Sequence, residues 1–399
     1  VRVLHVAAMP FPSPQGTQAA VRAMADASAN AGASHLLVYA EGAEDARAPR
    51  FTLHRASMRG ETPAVHRVSS AATLRSGPSP GKLVRDLGLV LAVRRLVARL
   101  RPDVVCAHHV EACAAALVAR VRPLVFVAHT ALAPELPTYL PDALRPLCTP
   151  ALARAGDALD VALARRADAV MAVSPALATR LSRTTGVAVR PTAVPWEVPA
   201  SIDDGERARA RTALGLGPRD EVVLYAGNLD GYQGFACVLG ALTRLSVSRP
   251  ALRVVVATAS DPGPLRGSVA AAGLAARTHV VLLADESARR RVHAAADVAV
   301  VPRGADGGVP IKLLDALARG VTLVAQRRAT AGLPVDRFAF VCGDDDEAAL
   351  AGAIAQALAA RDGMAERVMR GRRWIADAHG PEHFVASLEA ALRDVQRLA

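Results

Sequence analysis

The chain predicts two α/β domains, each built on a parallel sheet, and three observations carry that prediction. Short apolar runs rich in Val, Leu and Ala alternate with Ala/Leu/Arg helical patterns along the whole chain. The alternation stops and restarts near residue 200. The interruption, Arg190-Pro191-Thr192-Ala193-Val194-Pro195-Trp196-Glu197-Val198-Pro199, holds three prolines in ten residues, which bias a backbone toward extended linker conformations. At 399 residues, 52% of them hydrophobic, the chain is too long for one ordinary core and apolar enough for two. The first domain is therefore expected over residues 1–190, and the second from residue 200.

In the first half, residues 1–7, 35–40, 104–107, 124–128 and 169–173 read as buried strands. Residues 18–31, 82–100, 111–121 and 142–166 read as helices, and 76–81 as a Gly/Ser/Pro loop. In the second half, strands are expected at 222–226, 253–258, 280–283, 298–301, 322–325 and 338–341. Helices follow at 235–246, 287–295, 311–319, 346–360 and 381–398. The opening run reads at once as a strand, so no leader is expected. Every long apolar run is broken before the roughly 18 residues a membrane span needs.

Five scattered cysteines without C-x-x-C spacing argue against a disulfide framework or a zinc site and fit a reducing, cytoplasmic setting. The net charge of +11 favours anionic partners: a nucleoside diphosphate, an acidic membrane surface or nucleic acid. With 3% aromatic residues and neither an RNA-binding signature nor zinc-finger spacing, nucleic acid is disfavoured.

Four constellations carry chemistry. Phe11-Pro12-Ser13-Pro14-Gln15-Gly16-Thr17-Gln18 follows the first strand and precedes a helix, where Gly16 lets a phosphate or sugar approach the backbone. His108, His109 and His129 fall at the ends of two strands, where an imidazole can bond a sugar hydroxyl or shuttle a proton; a structural histidine is the plain alternative. Tyr225-Ala226-Gly227-Asn228-Leu229-Asp230-Gly231-Tyr232-Gln233-Gly234 is again a strand, a glycine loop and a helix. The fourth runs from Arg303 through Gly307-Gly308-Val309-Pro310-Ile311-Lys312-Leu313-Leu314-Asp315. Its Gly308, Val309, Pro310 and Ile311 open a helix whose N-terminus is electropositive, Arg303 and Lys312 add full charges, and the combination suits a diphosphate. Lys312 is one of two lysines in a chain that writes its other bases as Arg, and Asp315 is placed to accept from ribose hydroxyls.

Three further stretches read more blandly. Asp344-Asp345-Asp346 contains D-x-D but precedes a helical run, so a helix cap is the expectation rather than a metal site. Glu206–Arg211 reads as a solvated helix face. The basic stretch 66–101, with helix 82–100 pairing Arg with a broad apolar face, suits either a packed helix or one lying on an anionic membrane.

In this order the patterns resemble the GT-B retaining glycosyltransferases of family four. The likeness takes in His5–Gln18, Pro102-Asp103-Val104-Val105, Ala167–Ser174, Gly227–Gly234, Ala295-Ala296-Asp297-Val298 and Gly308–Val324. The resemblance implies two Rossmann-like domains facing across a cleft, with residues 379–399 packing back on the first. It implies a nucleoside-diphosphate sugar held mainly by the second domain. A lipid or glycan acceptor would sit on the first, with His108 and His109 on its side, and transfer would proceed with retention and without a metal or other cofactor. His129 matches the family's histidine near the transferred sugar, Gly16 its loop glycine at the diphosphate, and Asp315 the second Glu of its E-x-x-x-x-x-x-x-E motif.

The departures from that pattern concern charge. The motif's first Glu falls on Gly307, beside Asp306, and the family's Arg and Lys on the diphosphate fall on Asn228 and Gln233. Cations at a leaving group are normally a large catalytic contribution. Arg303 and Lys312 are read as their replacements. The competing reading is a degenerate relative that binds a nucleotide sugar or supports a partner transferase. An epimerase on the same fold is disfavoured, because no carboxylate pair is evident for proton removal.

Overall fold

A computed structural model describes residues 1–12, 16–42, 48–57, 60–62, 66–67, 80–141, 143–259, 261–360 and 363–398. Much of the loop expected at 76–81, and Arg75 of the basic stretch, lie outside these residues. The chain divides into two compact units: Val1–Pro195 with Gly307–Val309 and His379–Ala399, and Trp196–Asp306 with Pro310–Ala378.

The first unit contains strands β1 (Val3–Ala7), β2 (Ser34–Tyr39), β3 (Glu41–Gly42), β4 (Thr52–Ser57), β5 (Gly60–Thr62), β6 (His66–Arg67), β7 (Val104–His108), β8 (Leu124–Ala128), β9 (Ala169–Ala172) and β10 (Val189–Pro191). Eight of them form one sheet in the order β10-β9-β8-β7-β1-β2-β4-β5, parallel except for the last pairing, and β3 pairs with β6. The order reverses between β1 and β7, which makes that point the topological switch of the sheet, where ligands of open α/β sheets bind. Helix Pro381–Leu398 packs on helix Gly16–Ala31 and on β9, with Phe384 fully buried.

The second unit contains β11 (Glu221–Ala226), β12 (Leu252–Thr258), β13 (Thr278–Leu282), β14 (Val298–Val301), β15 (Thr322–Gln326) and β16 (Phe340–Cys342). They form a parallel sheet in the order β13-β12-β11-β14-β15-β16, so the switch lies between β11 and β14. Val223, Val254, Val256, Val300 and Val324 fill its core with Leu242, Leu350 and Ile354 from the covering helices. Both units are thus Rossmann-like.

Several elements were not evident as apolar runs. β4 and β10 are polar strands, and helices Pro175–Thr185, Pro262–Ala271 and Met364–Ala378 were not expected. The first of these helices carries plain boundary chemistry: Ser174 accepts from Leu177 N at 3.2 Å, Pro175 opens it and left-handed Gly186 ends it.

Three aspartates stand immediately before strands and fasten the neighbouring strand. Asp103, before β7, accepts from Arg2 N at 2.6 Å beside β1. Asp168, before β9, accepts from Leu124 N of β8 at 2.7 Å. Asp297, before β14, accepts from Val222 N of β11 at 2.7 Å. Each satisfies a backbone N–H that a parallel ladder leaves open at its starting edge.

The stretch Glu206–Arg211 is not the solvated face expected of it. Arg207 and Arg211 both clasp Asp297, the latter at 2.7 Å with its side chain 8% exposed, and Glu206 pairs with Arg290. In the acidic triplet, Asp346 caps helix Glu347–Ala359 by accepting from Ala348 N and Ala349 N, both at 2.9 Å, while Asp344 and Asp345 hold Arg328. All five cysteines are free. Among the described residues no helix is long and apolar enough to cross a membrane.

Candidate functional site

In the second unit the two strands flanking the switch, β11 and β14, each run into a glycine loop. Gly227 follows β11, and a Cβ there would stand 3.3 Å from Lys312 Nζ, so the lysine fills the space a side chain would take. Gly234 ends the loop at φ +72°, a left-handed turn that favours glycine, and helix Phe235–Ser248 starts from it. After β14, the chain reaches helix Ile311–Arg319 through Pro310.

Lys312 lies in the first turn of that helix. Its Nζ donates to Tyr225 Oη at 3.3 Å and stands 4.4 Å from the centre of the Tyr225 ring. Among the described residues it has no carboxylate partner. Burial, reinforced by the Arg303 guanidinium, lowers its ammonium from the usual lysine range to about 7. Arg303 is itself buried and stacks 5.6 Å over Tyr232. Tyr225 donates to Asn228 O at 2.6 Å, and the Asn228 amide donates to Asp230 at 2.7 Å and Tyr232 Oη at 3.3 Å. Asn228 Oδ1 and Gln233 Oε1 are buried with no hydrogen-bond partner among the described residues, each a cost of about 1–3 kcal/mol that ligand donors would relieve. Two cations and two orphaned amide oxygens thus lie on the segments that leave β11 and β14.

Asp315 is not part of that cluster. Its Oδ1 accepts from Arg319 Nε at 2.8 Å, while Oδ2 lies 3.8 Å from Arg289 and 3.7 Å from His293. Arg319 continues to Glu286. This carboxylate is oriented by three basic groups one turn further along the helix. A cavity of about 420 Å³ lined by Glu221, Ser248, Arg249, Pro250 and Ala251 lies at the opposite, starting edge of β11 and β12.

In the first unit the histidines separate into two groups. His108 ends β7, and its Nδ1 is 3.0 Å from His129 Nε2 just beyond β8. On its other side, His108 Nε2 is 2.9 Å from Nδ1 of His5, in the middle of β1. Burial lowers His5 and His129 to about 3 and His108 well below its usual range, so all three rings are neutral near pH 7. His109 turns away at φ +69°, a left-handed conformation rare outside glycine. Its ring sits 3.1 Å from Glu111 Oε2 and 3.7 Å from Glu135 Oε2, with Thr130 Oγ1 at 3.2 Å and Lys82 on Glu111. Burial opposes its charge, but the hydrogen bonds to Glu111 and Glu135 prevail and raise it to about 10. His109 is a cation and His129 a neutral ring.

Gly308 belongs to the first unit, and a Cβ on it would come within 2.2 Å of the His129 carbonyl oxygen. No other residue fits there. Val309 and Pro310 are buried and Ile311 half-buried. Gly16 starts its helix as an exposed residue, and residues 13–15 of its loop lie outside the described ones. Sequence reasoning missed His5 as a member of this group; a histidine inside the otherwise apolar strand Val3-Leu4-His5-Val6-Ala7 was the available signal.

Known proteins resemble this chain in sequence and in fold. Residues 14–195 match the sequence model of Glycosyltransferase Family 4, and residues 220–360 that of Glycosyl transferases group 1. D-inositol 3-phosphate glycosyltransferases of Mycobacterium sp., strains KMS and MCS, are 34% identical over 146 residues. That match spans 33% of this chain and 30% of the relatives' length. Among solved structures, sucrose-phosphate synthase from Thermosynechococcus elongatus superposes with a TM-score of 0.77 at 18% identity, covering 100% of both chains. Anabaena HepE in complex with UDP and glucose superposes at 0.73 and 16% identity, covering 98% of this chain and 100% of its own.

Proposed function

We propose, from the premise that this chain belongs to the family 4, group 1 glycosyltransferases, that it transfers a sugar from a nucleoside-diphosphate donor to a lipid or cell-surface glycan, with retention and without a metal. The observation that carries this reading is Lys312: a half-buried lysine whose amine has no carboxylate partner among the described residues, beside the buried cation Arg303, at the switch of a parallel sheet. A lone buried lysine costs stability unless an anion arrives. A diphosphate there would restore its charge, and Arg303 would share the load as the leaving group develops negative charge.

His129 serves in this reading as the neutral group near the transferred sugar, with the acceptor in the first unit beside His108 and His109. Asp315, oriented by Arg319, Arg289 and His293, is assigned to the ribose. The lipid side of the acceptor reading draws on helix Pro80–Leu100, whose Leu83, Val84, Leu87 and Leu91 are exposed alongside Arg94, Arg95 and Arg99. We place the protein in the cytoplasm, touching the inner face of an anionic membrane through that helix. The degenerate reading is favoured by three departures from the family pattern: no carboxylate at Gly307, and no Arg or Lys at Asn228 and Gln233.

Donor binding is tested first by thermal shift with UDP-, GDP- and ADP-sugars. One of them is expected to raise the unfolding temperature in a concentration-dependent way, since a ligand of the native state stabilises by mass action. No shift with any of the three at millimolar concentration would remove the donor reading altogether.

A further inference from the structure

The three neutral imidazoles form a directed series whose polarity is set at its far end. Ser28, in helix Gly16–Ala31, spends its hydroxyl proton on Met24 O, 3.0 Å away, a carbonyl that can only accept. Ser28 Oγ is therefore an acceptor toward His5 Nε2, at 3.0 Å. A neutral imidazole carries one proton, so His5 Nδ1 is left to accept from His108 Nε2–H. By the same rule His108 Nδ1 accepts from His129 Nε2–H. The last ring then has its proton on Nε2 and a bare lone pair on Nδ1, which makes no hydrogen bond among the described residues.

We propose that His5 and His108, anchored by Ser28, are positioning residues that hold His129 as the Nε2–H tautomer and present its Nδ1 as a hydrogen-bond acceptor for a hydroxyl of the bound sugar or acceptor. Three features suit that role. The rings sit on adjacent strands β1, β7 and β8, so the sheet itself spaces them. His5 and His108 are stacked within 5.2 Å at 19°, and Phe384 of the last helix lies 6.1 Å from His5. Solvent therefore has little access to scramble the tautomers. The protonated His109 nearby discourages a second charge on His129. The catalytic half of the inference rests on the transferase reading; the tautomer half does not.

The test is nitrogen-15 imidazole NMR on the full chain, with the His129 signals assigned by their loss in His129→Gln. The wild-type ring is expected to show a protonated Nε2 and an unprotonated Nδ1 at pH 7. A protonated Nδ1 in the wild-type protein overturns the inference whatever the activity. His5→Phe and Ser28→Ala are the perturbing variants, the second small enough to leave the fold intact. Either is expected to give mixed tautomers at His129 and at least a several-fold fall in kcat with donor KM unchanged. An unaltered tautomer in both folded variants also overturns it. Failure of the transferase reading would show separately, as absence of turnover in a wild-type protein whose His129 is still the Nε2–H tautomer.

Discussion

At the scale of single residues, Lys312 holds the largest consequence. A lysine lowered to about 7 is mostly neutral at pH 8 and mostly charged below pH 6. Diphosphate binding raises its affinity for a proton, so calorimetric titration at pH 8 in buffers of different ionisation heat is expected to show uptake of about one proton per nucleoside diphosphate. Uptake should fade as the pH drops through 6, where the amine is already charged, and vanish in Lys312→Met. Tight binding with no uptake at pH 8, or uptake unchanged in the variant, would show that the amine does not face the phosphates. The same linkage acts on folding: the unfolded chain binds the Lys312 proton more strongly, so this residue's contribution to stability rises with pH between about 7 and 10.5. Lys312 was visible in the sequence as an anomaly of composition. His5 was overlooked because a lone histidine in an apolar strand is a signal whose meaning depends on the partners across the sheet, which the sequence does not state. Asp315 was visible as a carboxylate, but its clasp by Arg319, Arg289 and His293 depends on the packing of two helices.

At the scale of elements, the aspartates before β7, β9 and β14 explain why short Asp-containing patterns recur along this chain. They hold strand edges rather than substrate. Asp168→Ala removes one charge-assisted bond to Leu124 N and an exposed partner, Arg122, and is expected to cost about 1–2 kcal/mol. Asp297→Ala also removes the carboxylate shared by Arg207 and the buried Arg211, and about 3 kcal/mol is expected. Denaturant titration measures both, and donor KM of the folded fraction should be unchanged in each. A larger loss from Asp168→Ala than from Asp297→Ala would contradict this ranking. Strands such as β12 and β14 were legible because parallel strands buried on both faces are written in continuous Val and Ala. β4, Thr52-Leu53-His54-Arg55-Ala56-Ser57, was not, because a strand near the edge of a sheet needs no apolar run. Helix Pro175–Thr185 was not expected, although Ser174-Pro175 opens it, Gly186 ends it and Leu177, Ala178 and Leu181 line its buried face.

At the scale of the whole molecule, the two-unit α/β architecture followed from alternation and the proline-rich break, and the division falls between Pro195 and Trp196 inside that break. Strand order was not legible. Nothing local in a strand states which neighbour it takes, yet that order sets the switch points, and these place His5 beside His108 in one unit and Gly227 beside Lys312 in the other. The function proposed above assigns the donor to the second unit and the acceptor to the first. The most direct measurement is therefore release of nucleoside diphosphate from the stabilising nucleotide sugar, with and without acceptor. Vesicles of acidic envelope lipid supply the lipid arm, and soluble surface glycan the other. An active transferase releases nucleoside diphosphate at a rate that depends on one of these acceptors. Donor binding without release in either arm would contradict the account and leave a nucleotide-sugar-binding relative that has lost its chemistry.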